Sequence, residues 1–116
     1  MIKKEIKVIA DAMLDKKAQG VVSLDLRKVG CAIADHFVLC DAQSSTQVCA
    51  IADNVEEEMI VKLSRKPLRK QGMENGFWVI LDYGETVVHI FQSDQRNFYR
   101  LEELWADASR KTFSEE

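Results

Sequence analysis

The chain has 116 residues, of which 47% are hydrophobic and 30% are charged, and its formal net charge is −3. This length allows one hydrophobic core but not two, and the small negative charge excludes a strong overall attraction to nucleic acid. The amphipathic start MIKKEIKVIADAM lacks the unbroken apolar run of an export signal, and no stretch approaches the ~18 apolar residues of a membrane span. We therefore expect a cytoplasmic protein with no membrane partner.

Two helices and two strands are predicted in the first half of the chain. Apolar residues at helical spacing predict a first helix over residues 2–17. Strands are predicted over residues 21–26 and 35–40. Ser44 and Gln47 have the spacing of a capping box, so a long helix is expected to begin near Ser44. The buried stripe of that helix is predicted to be Val48, Ile51, Ala52, Val55, Met59 and Leu63.

A β-hairpin over residues 77–91 is the centre of the predicted fold. Residues 77–82 alternate with period 2, Gly84 favours a tight turn, and β-branched residues over 86–91 favour a second strand. Both faces of this hairpin are apolar. One face must cover a core, so the other needs a second layer or a partner protein.

The order of the predicted elements is helix, strand, strand, helix, strand, strand, helix, and it indicates an α+β fold with one small mixed sheet and packed helices. The last helix is expected over residues 96–106, and residues 65–76 are expected to form a loop. We assign residues 1–106 to a single domain and residues 107–116 to a C-terminal tail that frays.

Few residues suggest chemistry. In phosphoryl-transfer enzymes, carboxylates at strand ends hold Mg²⁺. Asp25, Asp35 and Asp82 lie in or beside predicted strands, but the D-x-D pair and the Gly-Ser turn that this chemistry requires are missing. His36 and His89 lack a second metal ligand at helical or hairpin spacing, and we interpret His89 as half-buried with a satisfied hydrogen bond. We expect no catalytic residue, metal or cofactor, and we keep a small Mg²⁺-dependent nucleotidyltransferase as an alternative.

The hairpin surface is the first candidate binding site. Trp78 and Tyr83 flank a run that includes Leu81 and Asp82. Aromatic residues on a strand surface are typical anchors of protein interfaces. We expect Tyr83, and at least one of Trp78, Leu81 and Asp82, to be accessible.

A basic cluster is the second candidate binding site. It consists of Arg65, Lys66, Arg69 and Lys70. These side chains either contact a phosphate backbone or offset the charge of the acidic helix that precedes them. The sequence leaves both interpretations open.

Four groups of residues carry a family resemblance. They are Asp25-Leu26 with Ala34-Asp35-His36-Phe37-Val38; Ser44-Ser45-Thr46-Gln47-Val48 with Ala50-Ile51-Ala52-Asp53; Trp78-Val79-Ile80-Leu81-Asp82-Tyr83-Gly84; and Val87-Val88-His89-Ile90-Phe91 with the later Arg96, Phe98-Tyr99, Leu101-Glu102 and Leu104-Trp105. On these motifs the chain resembles the ribosomal silencing factor family, also called the Iojap-related family. The resemblance runs from the first helix to Trp105, and residues 65–75 depart from the usual pattern.

The resemblance implies both a fold and a function. It implies a nucleotidyltransferase-like αββαββα fold without the catalytic motif. It also implies binding to the large (50S) ribosomal subunit through large-subunit protein number fourteen at the inter-subunit face, which sterically blocks joining of the small subunit and represses translation. The partner-binding residues expected on this basis are Trp78, Leu81, Asp82, Tyr83, Glu85, Arg96 and Tyr99. A peripheral contact with ribosomal RNA, an alternative role as an RNA-binding assembly adaptor, and a free monomer or homodimer stay open.

Overall fold

The computed structural model describes residues 4–27, 34–95 and 109–113. Its helices are α1 (Lys4–Asp15) and α2 (Ser45–Leu63). Its strands are β1 (Gln19–Asp25), β2 (His36–Ala42), β3 (Arg69–Gln71), β4 (Trp78–Asp82), β5 (Thr86–Gln92) and β6 (Ser109–Thr112). Residues 93–95 are helical, and the helix predicted over 96–106 lies outside the described residues. Among the described residues, no helix has both the length and the hydropathy that a membrane span requires.

The strands form one six-stranded sheet in the order β3-β4-β5-β2-β1-β6. β2 and β5 are parallel, whereas every other neighbouring pair is antiparallel. The predicted mixed sheet in an α+β fold is therefore confirmed. The four central strands are those that the apolar sequence patterns predict, within one or two residues at each end.

The two edge strands were not predicted. β3 lies in the segment that we expected to be a loop, and β6 lies in the tail that we expected to fray, so both expectations are wrong at these residues. Both strands consist of polar and charged residues that are all exposed. Because neither strand alternates between apolar and polar residues, hydrophobic periodicity gives no signal there. Backbone pairing with β4 and β1 holds these strands in place.

Apolar side chains cover both faces of the sheet. The face that carries α1 and α2 includes Val79 and Leu81 of β4 in the larger core cluster. The opposite face includes Val87 and Phe91 of β5 in a second cluster, with Trp78 partly buried against it. The predicted hairpin with two apolar faces is thus confirmed. Within the predicted stripe of α2, the buried residues are Val48, Ile51, Ala52, Val55 and Met59, while Leu63 is partly buried.

The start of α2 is also confirmed. Ser44 is its N-cap, and the Ser44 side-chain oxygen accepts a hydrogen bond from the Gln47 backbone N–H at 3.1 Å. The Gln47 amide does not bond back to Ser44 as in a full capping box. It donates instead to the carbonyls of Lys16 and Lys17 at 3.3 and 3.4 Å, which ties the start of α2 to the end of α1.

Replacing the N-cap should have a moderate effect on stability. We expect Ser44→Ala to lower the free energy of unfolding by about 1 kcal/mol, because one N–H of the first helical turn loses its acceptor. Urea denaturation measures this change. The matched variant Ser44→Asp keeps an acceptor and should retain most of the stability. Equal stability of Ser44→Ala and the unmodified chain would contradict the capping role.

Candidate docking surface

The sheet face opposite α1 and α2 becomes progressively more exposed from β5 towards β3. Trp78, Ile80 and Asp82 project on this face from β4, and each is half-buried. We call these three residues the β4 face. Arg69 and Gln71 of β3 lie directly opposite Asp82 and Ile80, and both are exposed. Directly opposed residues of an antiparallel pair lie on the same side of a sheet, so the β4 face and the β3 side chains form one continuous surface.

An aromatic cluster supports the β4 face. The Trp78 ring stacks on Phe91 with a centroid distance of 5.1 Å and an interplanar angle of 24°. Trp78 Nε1 donates a hydrogen bond to His89 Nδ1 at 3.1 Å. The His89 ring in turn meets the Phe37 ring edge-on, with centroids 4.6 Å apart. Trp78 is therefore held by a stacking contact and by a directed hydrogen bond.

His89 is more buried than we expected, with 6% of its surface exposed. Burial lowers the pKa of His89 from 6.5 to about 4, so the imidazole is neutral at pH 7. The expected hydrogen bond is present at Nδ1, whereas Nε2 has no hydrogen-bond partner in the part of the chain that the structure describes. The expected hydrogen bond of His89 is therefore confirmed, whereas the expectation that the residue is half-buried is wrong.

Because of His89, the protein should become less stable as the pH is lowered. An unfolded histidine binds a proton near pH 6.5, whereas folded His89 binds one only near pH 4, so the unfolded state holds more protons between these values. Lowering the pH from 7 to 5 should therefore cost about 2 kcal/mol of unfolding free energy through this group alone. Denaturation at both pH values measures the loss. Over the same pH interval, the matched variant His89→Leu should lose about 2 kcal/mol less unfolding free energy than the unmodified protein. Identical pH dependence of the two proteins would contradict the lowered pKa of His89.

Two predicted contact residues are buried. Leu81 and Tyr83 are both 0% exposed, and both belong to the core cluster under the helices. They share the parity of Val79 along the strand, and the Tyr83 N–H donates to the Thr86 carbonyl at 2.9 Å, which continues the ladder into the turn. The expectation that Tyr83 is accessible is therefore wrong. Trp78 and Asp82 keep exposed atoms, as expected, and Ile80 is a surface residue that our prediction missed although the alternation implies it.

Glu85 is exposed but already has an intramolecular partner. Its Oε1 accepts a hydrogen bond from Arg65 Nη1 at 2.8 Å. The Arg65 guanidinium also pairs with the buried Glu5 carboxylate and donates to the Tyr83 carbonyl at 2.6 Å. The other Glu5 oxygen accepts from the Thr86 hydroxyl at 2.5 Å. We call these five residues the Arg65 network, and it connects α1, the end of α2 and the β4–β5 turn.

The basic cluster is partly neutralised within the chain. Arg65 belongs to the Arg65 network, and Lys70 Nζ lies 3.1 Å from Glu56 Oε1 of α2. Lys66 and Arg69 are exposed and have no ion pair with any residue that the structure describes. The interpretation as a segment that offsets the acidic helix therefore holds for Lys70. Lys66 and Arg69 are therefore the members of the basic cluster that are available to contact a phosphate backbone.

Asp25 and Asp82, two of the carboxylates that a magnesium site would need, lie far apart. Asp25 of β1 is bound through both oxygens by Arg27, at 2.9 and 2.7 Å, and this hydrogen bonding holds the pKa of Asp25 well below its usual range. Asp82 Oδ1 accepts from the Gly84 N–H at 2.8 Å. Strands β5 and β2 lie between β4 and β1, which separates these carboxylates by about 14 Å at the usual strand spacing. Within residues 4–27, 34–95 and 109–113, no group of three acidic, histidine or cysteine side chains is placed to hold a metal.

Two predicted contact residues cannot be located on this surface. Arg96 and Tyr99 lie outside the described residues. Their contact roles stay predictions. The described part of the candidate site is therefore the β4 face, its aromatic support and the adjoining β3 side chains.

Comparison with known proteins decides the family. The family described as "Ribosomal silencing factor during starvation" matches residues 1–116. The chain belongs to the ribosomal silencing factor family. This confirms the resemblance seen in the sequence motifs.

Relatives in this family align with most of the chain. Ribosomal silencing factor RsfS of Halalkalibacterium halodurans is 39% identical over 106 residues, which cover 89% of this chain and 86% of that protein. RsfS of Bacillus subtilis is 35% identical over 103 residues, with the same two coverages. A crystal structure of a Chromobacterium violaceum protein superposes with a TM-score of 0.83 at 27% identity and covers 100% of this chain and 95% of that one. The described sheet topology thus belongs to a fold that a solved relative shares.

Proposed function

We propose that this silencing factor binds the large (50S) ribosomal subunit through large-subunit protein number fourteen at the inter-subunit face. Bound there, it occupies space that the small subunit must fill, so the subunits cannot join and translation is repressed in the cytoplasm. Family membership supports the ribosome as the target. The observation that carries the choice of surface is the β4 face, which presents a half-buried tryptophan within the motif Trp78-Val79-Ile80-Leu81-Asp82-Tyr83-Gly84.

The β4 face has the composition of a protein-binding surface. Trp78 and Ile80 supply apolar contact area, and Asp82 and Arg69 add opposite charges at one end of it. Buried aromatic anchors supply most of the binding free energy at such surfaces, while charges at the rim set the register and the association rate. We propose Trp78, Ile80 and Asp82 as direct contacts, and Leu81 and Tyr83 as core residues that hold β4 in position.

Five further residues belong to this proposal in different ways. Glu85 lies at the edge of the surface, where it pairs with Arg65 and would have to share its carboxylate with a partner. Arg96 and Tyr99 follow β5 in the sequence and keep their proposed contact roles. Lys66 and Arg69 supply a peripheral contact with ribosomal RNA, since both are exposed beside β3 or within it.

Exclusion by volume suffices for this function. The protein extends 34 × 33 × 31 Å, and a body of this size bound at the inter-subunit face would hold the small subunit away. No bond is made or broken in this mechanism. The proposed role is therefore that of a regulatory binding protein rather than an enzyme.

Co-sedimentation with purified subunits tests the proposed function. The protein should pellet with 50S particles and stay in the supernatant with 30S particles, and 50S binding should persist in moderate salt. Trp78→Ala should weaken 50S binding by about tenfold or more, the range of an interface anchor. The control Val61→Ala alters an exposed residue on α2, away from the β4 face, and should bind normally. Equal binding to both particles that salt abolishes would instead indicate nonspecific electrostatic attraction.

A further inference from the structure

The indole N–H of Trp78 is directed into the protein. On the β4–β5 ladder, Trp78 lies opposite Phe91 and Ile80 lies opposite His89, so Trp78 and His89 are diagonal neighbours. Diagonal neighbours are within reach of each other when both side chains are aromatic. The two ring centroids are 5.9 Å apart, and Nε1 of Trp78 lies 3.1 Å from Nδ1 of His89.

This hydrogen bond defines the state of the imidazole. The indole nitrogen of Trp78 is only a donor, so His89 Nδ1 must be the acceptor. The imidazole proton is then on Nε2, which is buried and has no hydrogen-bond partner in the described chain. A buried donor without an acceptor costs free energy of folding. An apolar side chain at position 89 would avoid that cost and would leave the N–H of the half-buried Trp78 to bond with water, so packing alone does not account for a histidine here.

We infer that His89 is a positioning residue, which fixes the Trp78 indole, through its Nδ1 acceptor, in the orientation that a partner protein contacts. This inference rests on the proposed function and deepens it. Phe91 restrains the indole by stacking, but stacking permits the ring to slide and rotate in its plane. The directed hydrogen bond removes that freedom.

The fixed orientation also specifies what the partner offers. Because the Trp78 N–H is already bonded within the protein, the exposed part of the indole presents carbon atoms. The matching surface is an apolar pocket on a protein rather than a hydrogen-bond acceptor. A side chain already held in its bound orientation loses less conformational entropy on binding, which raises affinity without an added contact.

Two variants at one position test the inference. His89→Leu removes the acceptor but keeps apolar bulk, whereas His89→Asn retains an oxygen at about the position of Nδ1. The first measurement is deuterium exchange of the Trp78 indole N–H by NMR, with the resonance assigned from Trp78→Phe. We expect slow exchange in the unmodified protein and in His89→Asn, and exchange at least about tenfold faster in His89→Leu, since a bonded N–H must open before it exchanges.

The second measurement is affinity for purified 50S subunits, made together with urea unfolding of each variant. We expect His89→Leu to bind about tenfold more weakly while it remains at least as stable as the unmodified chain, and His89→Asn to bind within about threefold of it. A purely structural role predicts a different result, in which binding falls only where stability falls. The opposite directions of the two effects in His89→Leu therefore identify positioning.

Each result has one meaning. Unchanged indole exchange in His89→Leu would overturn the inference, because the hydrogen bond would not restrain Trp78. Faster exchange with unchanged 50S affinity would also overturn it, because the restraint would not serve binding. If the unmodified protein fails to bind 50S subunits, the proposed function fails and the docking role of His89 fails with it. The exchange measurement needs no ribosome and separates that case from loss of the hydrogen bond.

Discussion

Tyr83→Ala is expected to lower the free energy of unfolding by about 3–5 kcal/mol, the usual cost of replacing a buried aromatic residue with alanine. The Tyr83 side chain is 0% exposed and packs in the core cluster between the sheet and the helices. The Arg65 guanidinium carbon lies 5.7 Å from the centroid of the Tyr83 ring, so the substitution would also remove a cation–π contact. Such a loss is a large part of the stability of a small domain.

The matched variant Tyr83→Phe separates the contribution of the ring to stability from that of the hydroxyl. The Tyr83 hydroxyl has no hydrogen-bond partner in the described part of the chain, and burial raises the pKa of Tyr83 to about 12, so this group is neutral at pH 7. Removing it should change stability by less than about 0.5 kcal/mol or increase it slightly. Urea denaturation of both variants makes the comparison. A folded Tyr83→Ala protein of normal stability with weakened 50S binding would restore the surface role that the sequence suggested.

Arg65→Ala is expected to cost about 3 kcal/mol of unfolding free energy, because it leaves the Glu5 carboxylate buried without its cation. Glu5 is 8% exposed, and its remaining hydrogen bond comes from the Thr86 hydroxyl. The Tyr83 carbonyl and the Glu85 carboxylate lose a donor in the same variant. The variant therefore loses the side-chain contacts through which Arg65 connects α1, the end of α2 and the β4–β5 turn.

Lys66→Ala is the control for Arg65→Ala. Lys66 is adjacent in sequence, has the same charge and is exposed, so its removal should change stability by less than about 0.5 kcal/mol. Comparing Arg65→Ala with Lys66→Ala shows whether Arg65 stabilises the fold or binds RNA. If Arg65→Ala unfolds like the unmodified protein and loses affinity for ribosomal RNA, the Arg65 network does not stabilise the fold, and the basic cluster acts through phosphate contacts.

The central elements were predictable because each buries one or both faces. Residues 21–26 and 86–91 show the apolar patterns that burial imposes on strands, and the α2 stripe shows a helical one. β3 and β6 carry no such pattern, because an edge strand can be wholly exposed and held by backbone hydrogen bonds alone. Hydrophobic periodicity therefore defines the interior of this sheet and not its width.

The candidate site was predictable only in part. Alternation separates Trp78, Ile80 and Asp82 from the side chains between them, and extending its parity to Tyr83 would have placed that ring with Leu81. It does not tell which side is exposed, because both sides are apolar. The Arg65 network joins side chains 60 residues apart, and sequence patterns do not reveal such long-range contacts.

Formation of 70S ribosomes from purified subunits, followed by light scattering, tests the central claim most directly. The protein is added to 50S subunits before 30S subunits, and then in a second series after 70S ribosomes have formed. We expect dose-dependent loss of 70S formation in the first series, a right-shifted dose response for Trp78→Ala, and no shift for Val61→Ala. Undiminished 70S formation at concentrations that saturate 50S binding would contradict steric exclusion by the bound protein.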